Sequence, residues 1–133
     1  MHRDDLVYKD ECYVIVGILY KVFRELGSEL LERHYQKAIA IAFKNAGLNY
    51  TEQFPIKLFF EDKFIGIYYA DFLIDIKGAE IILEIKKSEN FGVRNIKQLD
   101  NYLKATNLEL GILANFTKSG VKYKRVVNLR KPV

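Results

Sequence analysis

The chain carries one cysteine, Cys12, in 133 residues. An internal disulfide framework is therefore excluded, and so is a cysteine-rich zinc site. Set among apolar neighbours, that thiol reads as a core side chain. No apolar run is long enough to cross a bilayer. The opening residues, Met1-His2-Arg3-Asp4-Asp5, lack the hydrophobic stretch of a secretory signal, so the expectation is a soluble, cytoplasmic protein. No repeat, linker or low-complexity segment interrupts the chain, and its length suits one domain spanning residues 1–133.

What is present is the composition of a folded domain. Half of the residues are hydrophobic and 29% are charged, which excludes a disordered chain. The net charge of +4 and pI near 9.1 permit a polyanionic partner without requiring one.

Hydrophobic periodicity predicts two helices first. The first covers about residues 10–26, with Val14, Ile15, Ile18, Leu19, Val22 and Phe23 at helical spacing and Gly27 as its stop. Ser28 is placed to cap the second, which runs to about Ala46 with Leu31, Tyr35, Ala38, Ile39, Ala42 and Phe43 on its stripe. Three strands follow, at 54–60, 64–76 and 79–86. Glu61-Asp62-Lys63 and Lys77-Gly78 form the turns of an antiparallel meander. Pro55 suits the start of a strand, and Gly66 a bulge. Ile65, Ile67 and Leu73 alternate with Phe72 and Ile74, which predicts a middle strand covered on both faces. A third helix at 93–105 turns Ile96, Leu99, Tyr102 and Leu103 inward. It leads to a strand at 108–116, which can pair in parallel after this crossover. A final strand at 121–129, carrying Lys122, Lys124 and Arg125, reads as an edge.

Against this background two sets of charges stand out. Glu84 and Lys86 lie inside the apolar run Ala79–Lys86 and, two residues apart, share one face of the strand. Asp71 lies inside the apolar strand before it. Unpaired charges on core strands are costly, so something must use them. Phosphodiester hydrolysis would: a divalent metal needs hard oxygen ligands, which Asp71, Glu84 and the Ile85 backbone carbonyl can supply. Lys86, on the Glu84 face, could orient the attacking water or stabilise charge growing on the phosphate. The alternative is a buried salt bridge from Lys86 to Glu84 or Asp71.

Further motifs recur in order along the chain: Glu32-Arg33-His34-Tyr35, Tyr69-Ala70-Asp71, Glu84-Ile85-Lys86 and Gln98-Leu99-Asp100-Asn101-Tyr102. With Gly66 ahead of Ala70-Asp71 and the strand from Gly111 to Phe116, this ordered set resembles the GxxExxY family of the PD-(D/E)XK nuclease superfamily, over roughly residues 26–127. The resemblance implies an α/β fold with a restriction-endonuclease-like αβββαβ core, a mixed sheet flanked by helices. It also implies a magnesium- or manganese-dependent nuclease acting on nucleic acid, DNA being the expected substrate, with a 5′-phosphate product. By position, Asp71, Glu84 and Lys86 match the catalytic trio, and Glu32 matches a helix carboxylate that completes the metal shell directly or through water. Gln98 and Tyr102 match a Gln-x-x-x-Tyr motif that reaches substrate phosphate or positions Lys86. The family's leading glycine is Glu29 here, and the superfamily's proline before the aspartate is Ala70.

Plainer readings remain beside these. Glu32 can be a solvated helix carboxylate, Tyr35 and Tyr102 packing residues, Gln98 a surface side chain, and Asn115 a strand-end residue. Lys87, Arg94 and Lys97 lie nearest the trio and are candidates for nucleic-acid contact. Lys118, Lys122, Lys124, Arg125, Arg130 and Lys131 could bind phosphate backbone or simply protect a sheet edge. The competing function is a catalytically inactive nucleic-acid-binding or partner-binding module on the same fold. A homodimer or partner subunit would lengthen the binding surface of so small a domain.

Overall fold

The structure, a computed structural model, describes residues 7–129; Met1 to Asp5, Arg130 and Lys131 lie outside the described residues. Helix α1 (Lys9–Leu26) has Asp10 and Glu11 in its first turn and Arg24 in its last, the charge order that suits the helix dipole. Gly27, at φ 74, ends it, a left-handed conformation that glycine adopts without a Cβ clash. It buries Cys12, Ile15, Val16, Leu19 and Val22. Val14 is exposed instead, so the buried stripe is turned slightly from the expected one.

Helix α2 (Glu32–Asn45) begins four residues after Ser28. The expected Ser28 cap does not form; its hydroxyl donates to Glu29 Oε1 at 3.3 Å. Leu31 takes the cap position, its N–H donating to His34 Nδ1 at 3.2 Å. A hydrophobic residue in that place is left exposed rather than joining the stripe. Tyr35 is fully buried, and its hydroxyl donates to the Gly27 carbonyl and accepts the Leu30 N–H. This tyrosine ties the α1–α2 connection together and packs edge-on against Phe116, with ring centroids 4.5 Å apart.

Strands β1 (Asn49–Phe60), β2 (Lys63–Ile76) and β3 (Ala79–Lys86) form the expected meander, with β1 starting earlier than its apolar run indicated. Both turns place two residues at positive φ, Glu61 (47°) and Asp62 (63°), then Lys77 (52°) and Gly78 (90°). These are the primed turns whose twist matches a two-residue hairpin. Pro55 falls within β1 rather than at its start, which is tolerable because β1 is an edge strand. Helix α3 (Val93–Thr106) then crosses over to β4 (Leu110–Thr117), which pairs parallel to β3, and β5 (Gly120–Val127) closes the other edge. The sheet order is β1-β2-β3-β4-β5.

Each face of the sheet is covered. Helices α1 and α2 pack on one side against Phe72, Ile74, Ile81, Leu83 and Ile112. Helix α3 packs on the other, with Leu99 and Leu103 against Leu73, Ile82 and Leu113. The contact of α3 with the sheet is closest at Gly111, where an added Cβ would lie 2.8 Å from Leu99 Cγ. The expected cover over Ile65 and Ile67 is missing. Both are exposed, because β3 pairs with β2 only from Phe72 to Ile76, and the rest of the β1–β2 hairpin extends past it. Among the described residues, no helix is long and apolar enough to cross a membrane.

Gly111→Ala should therefore destabilise the fold by about 1–3 kcal/mol, through overpacking against Leu99. Combined with Leu99→Ala, which alone should cost about 2–5 kcal/mol, the loss should fall short of the sum. Urea unfolding of the three variants measures this; strict additivity would show that the two side chains do not meet.

Candidate active site

The site is built where two strands part. The β2–β3 ladder ends at Phe72–Leu83. From there β3 continues beside β4 as far as the Lys86–Asn115 pair, while β2 continues beside β1. The next residues along the fork are Asp71 and Glu84, and their carboxylates take over the acceptor role of the missing ladder. The Asp71 N–H donates to Glu84 Oε1 at 3.1 Å, and the Ile85 N–H donates to Asp71 Oδ2 at 2.7 Å. Each acid thus satisfies a backbone donor that the separation of the strands leaves open.

The fork also reverses the faces of the hairpin. Phe72 packs beneath α1 and α2 while Ala70 packs beneath α3, although residues two apart on a regular strand share a face. On β1, Tyr50 and Phe54 are divided in the same way. Between them Gln53 has φ 50 and no partner in the register, which passes from Glu52–Phe72 to Phe54–Ala70. No residue is inserted in either strand; the left-handed backbone of Gln53, directly across from Asp71, interrupts the ladder at this one step.

The two carboxylates consequently meet different layers. The Gln36 side chain of α2 hydrogen-bonds to the Asp71 carboxylate, and Glu32, one turn earlier on α2, lies near enough to act on its charge. Glu84 is only 5% exposed and accepts the Tyr68 hydroxyl at Oε2, 2.9 Å away. Tyr68 stacks on Tyr102 of α3, centroids 4.0 Å apart and rings 13° from parallel.

The electrostatics follow from this burial. Desolvation, with the Asp71 charge second, pushes the Glu84 carboxyl up to about 7, against the Tyr68 and Asp71 N–H hydrogen bonds and the Lys86 charge that favour its ionised form. Desolvation also raises Asp71, opposed by the Ile85 N–H and Lys86. Burial and then the Glu84 charge raise both Tyr68 and Tyr102, keeping their hydroxyls protonated. Two acids and one amine, Asp71, Glu84 and Lys86, therefore lie at the fork.

Of the other expected residues, Glu32 stands at the margin. Among the described residues no group of three or more histidine, cysteine or acidic side chains is set to hold a metal. Gln98 lies one turn before Tyr102 and lines with it a groove that includes neither carboxylate. Lys87, Arg94 and Lys97 are exposed. Lys118, Lys122 and Lys124 are exposed as well, but Arg125 is engaged internally with the Val7 carbonyl and the Cys12 side chain.

Several residues were passed over. Gln36 was findable, being four residues after Glu32 on one helix face. Tyr68 was not, because regular alternation puts residues 68 and 71 on opposite faces. Asn115, far from being a loose strand end, is 2% exposed and sits beside Lys86 in register. Its Nδ2 donates to the Asn90 carbonyl at 2.9 Å, while its Oδ1 is buried without a hydrogen-bond partner.

The donor set suits a hard cation: oxygen ligands only, two acids held together in a desolvated gap, and an affinity for protons that a metal would compete against. A mixed sheet flanked by helices, with such an acid pair where its strands fork, is an α/β domain of the restriction-endonuclease-like class. The family model of the PD-(D/E)XK nuclease superfamily matches residues 9–126, and the chain belongs to that superfamily. No curated protein matches it. Among solved structures it is similar to the crystal structure of SSO0001, at 18% identity and a TM-score of 0.47, over 90% of this chain and 67% of that one.

Linkage sets the sign of the pH dependence. Between its ordinary 4.5 and about 7, Glu84 holds a proton in the folded chain that the unfolded chain has lost. Stability of the metal-free protein should fall as pH rises through that window. Asp71, raised from 3.8, adds in the same direction. Urea midpoints in chelator should be lower at pH 8 than at pH 5, and Glu84→Gln should flatten the difference; a wild-type midpoint that does not fall contradicts the buried pair. At Gln53, glycine should be tolerated, whereas valine should cost about 1–2 kcal/mol in its left-handed backbone. Thermal unfolding of both variants tests this.

Proposed function

We propose that the protein is a metal-dependent nuclease of the GxxExxY branch that hydrolyses phosphodiester bonds, with DNA as its substrate. The observation that carries this reading is the reciprocal pair of hydrogen bonds at the fork, which bring Asp71 and Glu84 together in a desolvated gap. Asp71, Glu84 and the Ile85 carbonyl would hold magnesium or manganese, with Glu32 reaching it through water. Such a cation, when bound, supplies Lewis-acid polarisation of the phosphoryl oxygens and a more acidic water.

The chain's own groups do the rest. Lys86 orients the attacking water and offsets charge growing on the phosphate. Gln36 and the Ile85 N–H hold the Asp71 carboxylate in place, and Tyr68, braced by Tyr102, holds Glu84. Gln98 and Tyr102 face substrate on the α3 side, and Lys87, Arg94 and Lys97 contact phosphates. In-line attack by water breaks the bond to the 3′-oxygen and leaves a 5′-phosphate. A cytoplasmic setting belongs to the same proposal, as does a homodimer or partner subunit that extends the binding surface.

One observation favours the alternative, a nucleic-acid-binding or partner-binding module without turnover: among the described residues no third acid joins the pair. Cleavage assays on single- and double-stranded DNA and RNA separate the two. With magnesium or manganese, the wild type should cleave, and Glu84→Ala and Lys86→Ala should each lose at least about 100-fold in rate while circular dichroism stays unchanged. Metal-loaded wild type that cleaves none of these overturns the nuclease reading. If calorimetry then finds metal bound, with the heat lost in Glu84→Ala, the module reading stands.

A further inference from the structure

The hairpin formed by β1 and β2 runs past the fork without a third strand, and its free end carries large exposed apolar side chains. Phe59 is 58% exposed, Phe64 57% and Ile65 64%. Phe59 and Phe64 pack edge to face at 6.0 Å, which holds the tip together but covers neither ring. Apolar groups left in water at a strand edge invite association, so their retention on the hairpin that carries Asp71 calls for a ligand.

The local backbone aims them. The register between β1 and β2 shifts at Leu58/Phe59, leaving Ile65 as the extra residue of a bulge. Phe59 and Ile65 thereby form one wall of a groove of about 430 Å³, within the range of about 300–1,000 Å³ common for small-ligand sites. The opposite wall is α3, which presents Gln98, Asn101 and Tyr102 at the spacing of a single helix face. Lys57, Leu58 and Ala105 complete the lining, and no carboxylate takes part. Other clefts differ in this respect: one holds Asp75 and Glu80, another Glu29 and Glu89, a third Glu25.

We propose that this groove binds one unpaired base of a single-stranded nucleic acid, next to the phosphodiester acted on at the fork; the inference rests on the nuclease reading above. A nucleobase has a flat π-face, which a phenylalanine ring and an aliphatic wall accept. It also has a polar edge, which the Gln98 and Asn101 amides can meet as donors and acceptors. Lys57 supplies the cation for the adjoining phosphate. In a duplex both faces of a base are stacked and out of reach, so the groove selects bases that are already unpaired or splayed out. A chain of side-chain contacts links the groove to the acid pair. Tyr102, part of its wall, stacks on Tyr68, and Tyr68 donates to Glu84.

Fluorescence anisotropy in chelator, with a labelled oligothymidylate of about 12 nucleotides and a blunt duplex as probes, tests this without cleavage. The wild type should bind the single strand more tightly than the duplex. Phe59→Ala should weaken single-strand binding by about 5- to 150-fold, the range of one lost base–aromatic stack, and leave duplex binding unchanged. The chain contains no tryptophan, so Phe59→Trp adds a lone fluorophore. Its emission should be quenched by the oligothymidylate, with affinity kept. An unchanged single-strand affinity in Phe59→Ala, an equal loss for both probes, or no quenching in Phe59→Trp overturns the proposal. So does sedimentation as a dimer that Phe59→Ala dissociates, which would mean that a second copy covers the hairpin. Failure of the nuclease reading looks different: wild type that does not cleave, yet binds single strands through Phe59, leaves the groove assignment standing.

Discussion

A sheet cannot simply stop pairing in its middle, because every exposed N–H and C=O in the interior must find a partner. In this protein β3 must leave β2 in order to run beside β4, and Asp71 and Glu84 make that separation affordable. Their carboxylates accept the Asp71 and Ile85 N–H groups, so the fork is closed by side chains in place of backbone. The same substitution draws two acids into one desolvated gap. Structure and chemistry are therefore not separable at this point: the groups that satisfy the split sheet are the groups a cation would need.

The tension in that arrangement is electrostatic. Burial lifts Glu84 to about 7 and raises Asp71 as well, so near neutral pH Glu84 is poised between its protonated and ionised forms. Lys86 is the compensating charge within reach, and Tyr68, Gln36 and two backbone N–H groups fix the oxygens. These supports come from three elements: Gln36 from α2, Tyr68 and the Asp71 N–H from β2, and Lys86 and the Ile85 N–H from β3. The site lies between layers because the hairpin changes faces at Gln53 and Asp71, turning β1 and β2 from the α1–α2 layer to α3. Beyond that reversal the hairpin is free of β3, and its exposed tip and the groove beside it follow from the same fork.

Much of this was legible beforehand. The turns at Glu61-Asp62 and Lys77-Gly78, the three-stranded meander, the crossover to a parallel β4 and the edge role of β5 all follow from periodicity and turn chemistry. Asp71, Glu84 and Lys86 announced themselves as charges inside apolar strands. The departures have local causes. Ser28 yields the α2 cap to Leu31 because His34 Nδ1 can accept its N–H, an interaction that propensity does not anticipate. Ile65 and Ile67 look like core residues because a period of two says nothing of where the neighbouring strand ends. Tyr68 was hidden because alternation places it across the sheet from Asp71, and the backbone turn that cancels this alternation is centred on Gln53, a residue type with no special claim to positive φ.

The sequence alone determined which segments are helix and strand and which charges lie where water is scarce, because both depend on short-range periodicity and on the cost of burying charge. Only the tertiary structure decided which of those charges meet, and which aromatic rings and amides surround them. That depends on where β2 parts from β3 and on which face each side chain leaves the sheet, and these are set by pairing between residues far apart in the chain.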